Sequence, residues 1–98
     1  MILVRDVFSL KFGKARDARA LMKEAHAMMP PEMQGRSRAM FDLVGPAYTL
    51  VWEMTADSLA AWEKEMATGM GDAGWRDWYQ KFVPLVERSY REIFTIET

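Results

Sequence analysis

The chain has no cysteine, no asparagine and a single histidine among its 98 residues. Without cysteine there are no disulfides and no thiolate metal sites, and a reducing cytoplasmic setting is the expectation. One histidine excludes a zinc site built from histidines. No excess of either charge sign is present: the formal net charge is −1 and the pI about 5.8. A nucleic-acid binder would normally carry a basic field, so no nucleic-acid partner is expected. Long apolar runs are also missing. The opening Met1-Ile2-Leu3-Val4 meets charge at Arg5 and Asp6, so neither a signal peptide nor a membrane span is expected there. There is no phosphate-binding glycine loop, no metal-ligand spacing and no nucleophile–base pattern. No cofactor or metal is therefore expected.

What remains is the composition of a small globular domain. Half the residues are hydrophobic and 28% are charged, which excludes a disordered chain. The length suits one domain spanning residues 1–98. Nine methionines and four tryptophans supply adaptable and large apolar surfaces for a core, an interface or a pocket.

The pattern of apolar residues sets the element order. From Ile2 to Phe12 side chains alternate, with Ile2, Val4, Phe8 and Leu10 on one face, interrupted by Asp6, and Leu3, Arg5, Val7 and Ser9 on the other. That is strand periodicity, and Gly13 ends it. Lys14 to about Met29 reads as a helix with Ala18, Leu21, Met22, Ala25, Met28 and Met29 on one stripe, stopped by Pro30-Pro31. Strands are expected at Gly35–Val44 and Ala47–Met54, joined at Gly45-Pro46 as an antiparallel hairpin. A helix is expected from Thr55 to about Thr68, with Thr55 as N-cap and Leu59, Trp62 and Met66 on its apolar stripe. Glycines at 69, 71 and 74 loosen the chain around the start of a shorter helix from Asp72 to Val83, which carries Trp75, Trp78, Tyr79 and Phe82. Val86 to Ile96 is the last strand.

The order β-α-β-β-α-β predicts an α+β domain of ferredoxin-like type, a four-stranded antiparallel sheet with helices on one face. The opposite sheet face would then be bare. Large apolar side chains fall on both faces of the strands, so a bare face would form an interaction patch. A twofold homodimer with sheets packed face to face is the expected resolution.

The stretches Val4-Arg5-Asp6-Val7-Phe8-Ser9-Leu10-Lys11-Phe12-Gly13-Lys14, Val51-Trp52-Glu53, Ser58-Leu59-Ala60-Ala61-Trp62-Glu63 and Arg88-Ser89-Tyr90-Arg91-Glu92-Ile93-Phe94 carry a resemblance. The chain resembles the dimeric α/β-barrel superfamily, in its NIPSNAP-like branch. The resemblance implies a ferredoxin-like protomer and a sheet-to-sheet homodimer. Superfamily members include cofactor-independent monooxygenases, isomerases and haem-handling proteins, so fold analogy alone supplies no activity. The histidine–asparagine–tryptophan set of the haem-degrading members has no counterpart in a chain without asparagine.

Six residues are the expected lining of a ligand pocket: Asp6, Arg38, Trp52, Glu53, Tyr90 and Arg91. Charges interleaved with apolar residues on strands converge where a sheet meets a neighbouring layer, and buried charges are rare unless paired or used. The pocket is expected at the mouth between the open sheet face and the second helical region, where the glycines allow movement. Parity does not say which face of the first strand meets the helices, so Arg5 is an alternative to Asp6. Trp62, Trp75, Trp78, Tyr79 and Phe82 read as core, and His26 as a boundary residue near a helix end. Arg36-x-Arg38 offers two cations to an anionic ligand. The expected function is binding of a small apolar or aromatic molecule. The alternative is a cofactor-independent monooxygenase or isomerase, with Asp6, Glu53, Tyr90 or His26 as its acid–base group. The catalytic residues are not specified by the sequence.

Overall fold

Strand β1 (Ile2–Leu10) lies inside the sheet because it pairs antiparallel on both sides, with β3 (Thr49–Ala56) and β4 (Val86–Thr95). β2 (Ser37–Phe41) pairs with the outer side of β3, giving the order β2-β3-β1-β4. This is the ferredoxin-like order expected from the sequence. The computed structural model describes all residues, Met1–Thr98.

Gly13, at φ 81°, takes a left-handed conformation that turns the chain out of β1. Helix α1 (Ala15–Met28) then runs back over the sheet and buries Ala18, Leu21, Met22 and Ala25. A single turn, α2 (Pro31–Gln34), leads into β2. After β3 come α3 (Leu59–Met70), α4 (Ala73–Phe82) and a 3₁₀ turn at Val83–Leu85. Pro84 sits within that turn, so it tightens the helix exit instead of cutting it off. The main core joins Leu10 and Leu50 from the sheet to Ala18, Leu21, Met22 and Ala25 of α1, and to Trp78, Phe82 and Leu85 beyond α3.

Three boundaries differ from the sequence expectation, each for a visible reason. Thr55 is not a helix cap. It continues β3, paired with Leu3 of β1, and its N–H donates to the Arg36 carbonyl at 3.0 Å. Ser58 caps α3 instead, its hydroxyl accepting the Ala61 N–H at 3.1 Å. β2 is shorter than expected and β3 starts two residues later, because Tyr48 adopts φ 61° and Gly45 φ 131°, which takes Asp42–Tyr48 out of the ladder. The Asp42 carboxylate compensates by accepting the Thr49 N–H at 2.9 Å.

α3 is the exception among the long helices: it has no buried residue. Its expected apolar stripe divides. Trp62 and Met66 are half-buried against the sheet, while Leu59 is exposed. The five residues read as core divide likewise. Trp78 and Phe82 are buried, Trp75 packs at the core's margin and Tyr79 faces outward.

Candidate functional site

The register decides which candidates meet. On the helix-facing side one row across the sheet reads Ala39, Trp52, Asp6, Arg91. On the opposite, open side the adjacent row reads Arg38, Glu53, Arg5, Glu92. The six expected pocket residues therefore separate. Asp6, Trp52 and Arg91 point toward α3; Arg38, Glu53 and Tyr90 occupy the face away from the helices. The cause is the two-residue period of a strand: neighbours such as Trp52 and Glu53, or Tyr90 and Arg91, cannot share a face. The parity of β1 is also settled, with Asp6 toward the helices and Arg5 away from them.

Under α3 lies a narrow gap of about 60 Å³ lined by Val4, Asp6, Trp52, Met54, Trp62 and Met66. Five of the six are apolar. Asp6 is held by Arg91, whose Nε donates to Oδ1 at 2.6 Å and whose guanidinium lies 4.8 Å from the Trp62 ring centroid. A cation over an indole face is attracted by the ring quadrupole, so Arg91 ties α3 to the sheet edge while orienting the carboxylate. The Trp52 indole N–H donates to the Ser37 hydroxyl at 2.9 Å, and its ring meets Trp78 edge-on at 5.7 Å. Trp52 thus forms both the floor of the gap and the rim of the core. By sequence alone Trp62 and Met66 fit ordinary packing residues. Their helical spacing is the same in a core stripe and in a pocket wall, so sequence periodicity could not separate the two.

Arg36, just before β2, provides the second tie on α3. It donates to Glu32 of α2 at 2.7 Å, to Glu65 of α3 at 3.0 Å and to the backbone carbonyl of Thr55. The hydrogen bond to Glu32 is the main influence that raises its pKa above the ordinary guanidinium value; burial opposes it and the charges of Glu32 and Glu65 reinforce it. Arg36 is thus already occupied by two carboxylates, which weakens its case as an anion receptor. No sequence signal links Arg36 to Glu65, since their contact arises only when α3 is laid across the sheet.

On the open face Glu53 is 3% exposed. Oε2 accepts from Arg5 Nη1 at 2.7 Å and Oε1 from Arg38 Nη2 at 2.7 Å, while Arg5 Nε lies 3.6 Å from Glu92. Burial pushes the Glu53 carboxyl pKa up, but hydrogen bonds from Arg38 and Arg5 outweigh it and the net shift is downward. A carboxylate with a depressed pKa in the folded state adds stability above its unfolded pKa of about 4.3. That contribution is lost as pH falls through the lower folded value. Glu53→Gln is thus expected to be less stable than wild type at pH 7 and to lose less stability on acidification below about pH 4. Urea unfolding at both pH values measures it; parallel losses in the two proteins would show that Glu53 is not the titrating group. A depression of about 360 Å³ lies beside this pair, around Leu3, Arg36, Arg38, Glu53 and Thr55.

His26 is exposed near the end of α1, consistent with a boundary residue. No group of three or more His, Asp or Glu side chains with metal-binding geometry is present. No helix is long and apolar enough to cross a membrane.

No protein-family model and no curated protein matches the chain. Solved structures do. A NIPSNAP family protein from Agrobacterium tumefaciens superimposes with a TM-score of 0.87 at 16% identity, over 98% of this chain and 85% of that one. A NIPSNAP-like domain protein from Burkholderia xenovorans gives 0.87 at 16% identity, over 99% and 85%. The fold is the ferredoxin-like fold of the NIPSNAP proteins. SnoaB, a cofactor-independent oxygenase from Streptomyces nogalater, is also similar, with a TM-score of 0.72 at 13% identity over 99% of this chain and 93% of that one. At these identities the likeness carries the fold alone, as the sequence resemblance implied.

Proposed function

We propose that this NIPSNAP-like protein is a homodimeric binder of a small apolar or aromatic molecule, which it holds between the helix-facing side of the sheet and α3. The observation that carries this is the wall of Trp52, Trp62, Met54, Met66 and Val4 with one carboxylate, Asp6, set into it. Ligand pockets are mainly apolar with a few fixed polar groups. The gap of about 60 Å³ is smaller than the roughly 150 Å³ cavity known to hold benzene. A helix without buried residues can move away from the sheet at little cost in burial, and Gly69 and Gly71 at its end permit the change of direction. The open-face depression is the weaker candidate, because its central carboxylate already has both oxygens bonded to arginines.

A thermal-shift screen of small aromatic compounds tests this reading. A ligand at about 100 times its Kd should stabilise by roughly 2.7 kcal/mol, or about 10 °C or more for a domain of this size. Trp62→Ala should abolish the rise while leaving the protein folded. Failure of every compound to stabilise wild type, or an unchanged rise in Trp62→Ala, would remove the pocket from consideration.

Support for the homodimer comes from the open face, where Leu3, Val7, Met40, Val51, Tyr90 and Phe94 flank the charged row. A stable pairing would bury more than about 1,200 Å². Light scattering across a dilution series checks it, with a folded monomer at micromolar concentration as the opposing result. A cytoplasmic location suits a chain without cysteine.

One observation favours a second reading, as a cofactor-independent oxygenase or isomerase. Of the four acid–base candidates named from the sequence, only Asp6 lines the gap. Its carboxylate is positioned to accept a proton from an acidic carbon or phenol of a bound substrate. Product formation with wild type and none with a folded, ligand-binding Asp6→Asn variant would favour this reading over simple binding.

A further inference from the structure

The row Arg38, Glu53, Arg5, Glu92 crosses the open face from one sheet edge to the other, one residue from each strand in the order β2, β3, β1, β4. Its charges run plus, minus, plus, minus. Read backwards, the row is minus, plus, minus, plus. It is therefore complementary to its own reverse. On one side of it lies the apolar row Met40, Val51, Val7, Tyr90, and on the other Thr55, Leu3, Phe94.

We propose that this row is a docking key that fixes how a second copy of the chain sits on the open face. The twofold axis runs parallel to the strands and passes between β3 and β1. This rests on the homodimer reading above and specifies its geometry. Rotation about that axis reverses the order of strands but keeps each row at its own height. Arg38 then faces the partner's Glu92, and Arg5 faces the partner's Glu53. The apolar rows meet apolar rows: Met40 faces the partner's Tyr90, and Val51 faces the partner's Val7. The other in-plane twofold axis, along the row, would set each of the four charges against its own copy. Like charges placed together across an interface are strongly unfavourable, so the charge pattern selects the first axis.

The reach of the side chains agrees with this. Face-to-face sheets stand about 10 Å apart and cross at about 30°, so pairs far from the axis must span the most. The two ends of the row have the most exposed side chains, 70% for Arg38 and 43% for Glu92, against 37% for Arg5 and 4% for Glu53. Within one protomer Arg38 already bonds Glu53, yet most of its surface remains free for a partner. The central ions are neutralised inside the protomer before docking, which lessens the desolvation that burying free charges would bring.

Sedimentation equilibrium of wild type, Arg38→Glu, Glu92→Arg and the double variant Arg38→Glu/Glu92→Arg tests the key, with circular dichroism as the folding control. Each single change places like charges opposite each other at two symmetry-related points. It should weaken the dimer at least about tenfold. The double change restores every pair across the interface, so its Kd should return to within about threefold of wild type, close to RT at 25 °C. Within the protomer it does the reverse, setting a carboxylate at position 38 beside Glu53 and a guanidinium at position 92 beside Arg5. Recovery of the dimer can thus come only from the partner. A dimeric wild type whose double variant is no tighter than the single ones overturns the docking geometry and leaves the dimer standing. A monomeric wild type overturns the dimer itself. If the reversed-charge variants do not fold, cysteine pairing replaces them, since the native chain has none. Separately made Arg38→Cys and Glu92→Cys proteins, mixed and treated with a short bis-maleimide, should cross-link with each other far more than either does alone. Equal or greater cross-linking of Arg38→Cys with itself overturns the proposed axis.

Discussion

Trp78→Ala is expected to lower the stability of the protein by about 3–5 kcal/mol and its melting temperature by roughly 15–30 °C. Trp78 is 5% exposed and belongs to three parts of the fold at once. Its indole N–H donates to the Leu21 carbonyl of α1 at 2.6 Å. Its ring stacks on Phe82 at 4.9 Å and meets Trp52 of the sheet edge-on at 5.7 Å. Truncation would remove the contacts by which α4 is held to both α1 and β3, in a domain whose total stability is on the order of 5–15 kcal/mol. The neighbouring residue is the control. Tyr79 is 54% exposed, and Tyr79→Ala should change stability by no more than about 0.5 kcal/mol. Denaturant unfolding at one fixed protein concentration compares the two. Similar losses would mean that α4 does not bury the face described.

The contrast between Trp78 and Tyr79 marks what the sequence could and could not disclose. Helical spacing identified the aromatic residues of α4 as a group, and the two-residue alternation of Ile2–Leu10 identified β1. Both signals are local, and both survive in the structure. What depends on how distant elements dock is not local. Thr55 resembled a helix cap because Asp57 and an apolar stripe follow it, but β1 begins at Ile2 and its length extends the β3 ladder to Ala56. The pocket candidates show the same limit. Trp52 with Glu53 and Tyr90 with Arg91 share the chemistry of a pocket lining, and the strand period sends the members of each pair to opposite faces. The charged row also became visible only through register, because Arg38, Glu53, Arg5 and Glu92 are spread from one end of the sequence to the other.

Arg36→Ala is expected to release α3. This helix has no buried residue, so its position rests on Trp62 and Met66 and on ties from the two edges of the sheet. One tie is Arg91, from β4, over the Trp62 ring. The other is Arg36, which joins α3 to α2 and β3 through Glu65, Glu32 and the Thr55 carbonyl. Hydrogen bonds to charged groups contribute about 1.5–3 kcal/mol each, and the exposure of Glu32, with Glu65 only partly buried, places this case toward the lower end. Each 1.4 kcal/mol is a factor of ten in an equilibrium. Amide hydrogen exchange across Leu59–Met70 should therefore quicken by about ten- to a hundredfold in Arg36→Ala. Exchange in β1 and β3 should not change, because their hydrogen bonds do not pass through α3. Arg36→Lys should give an intermediate result, since an ammonium keeps the charge but loses the planar fork that reaches two carboxylates. Acid would not reproduce the effect through Arg36 itself, whose pKa is raised. An unlatched α3 should also admit an aromatic ligand sooner, so on-rates in Arg36→Ala should rise while Trp62→Ala still abolishes binding. Unchanged exchange in α3 would place its anchorage wholly on Trp62 and Met66, and ligand entry would then require those side chains, not the arginine, to yield.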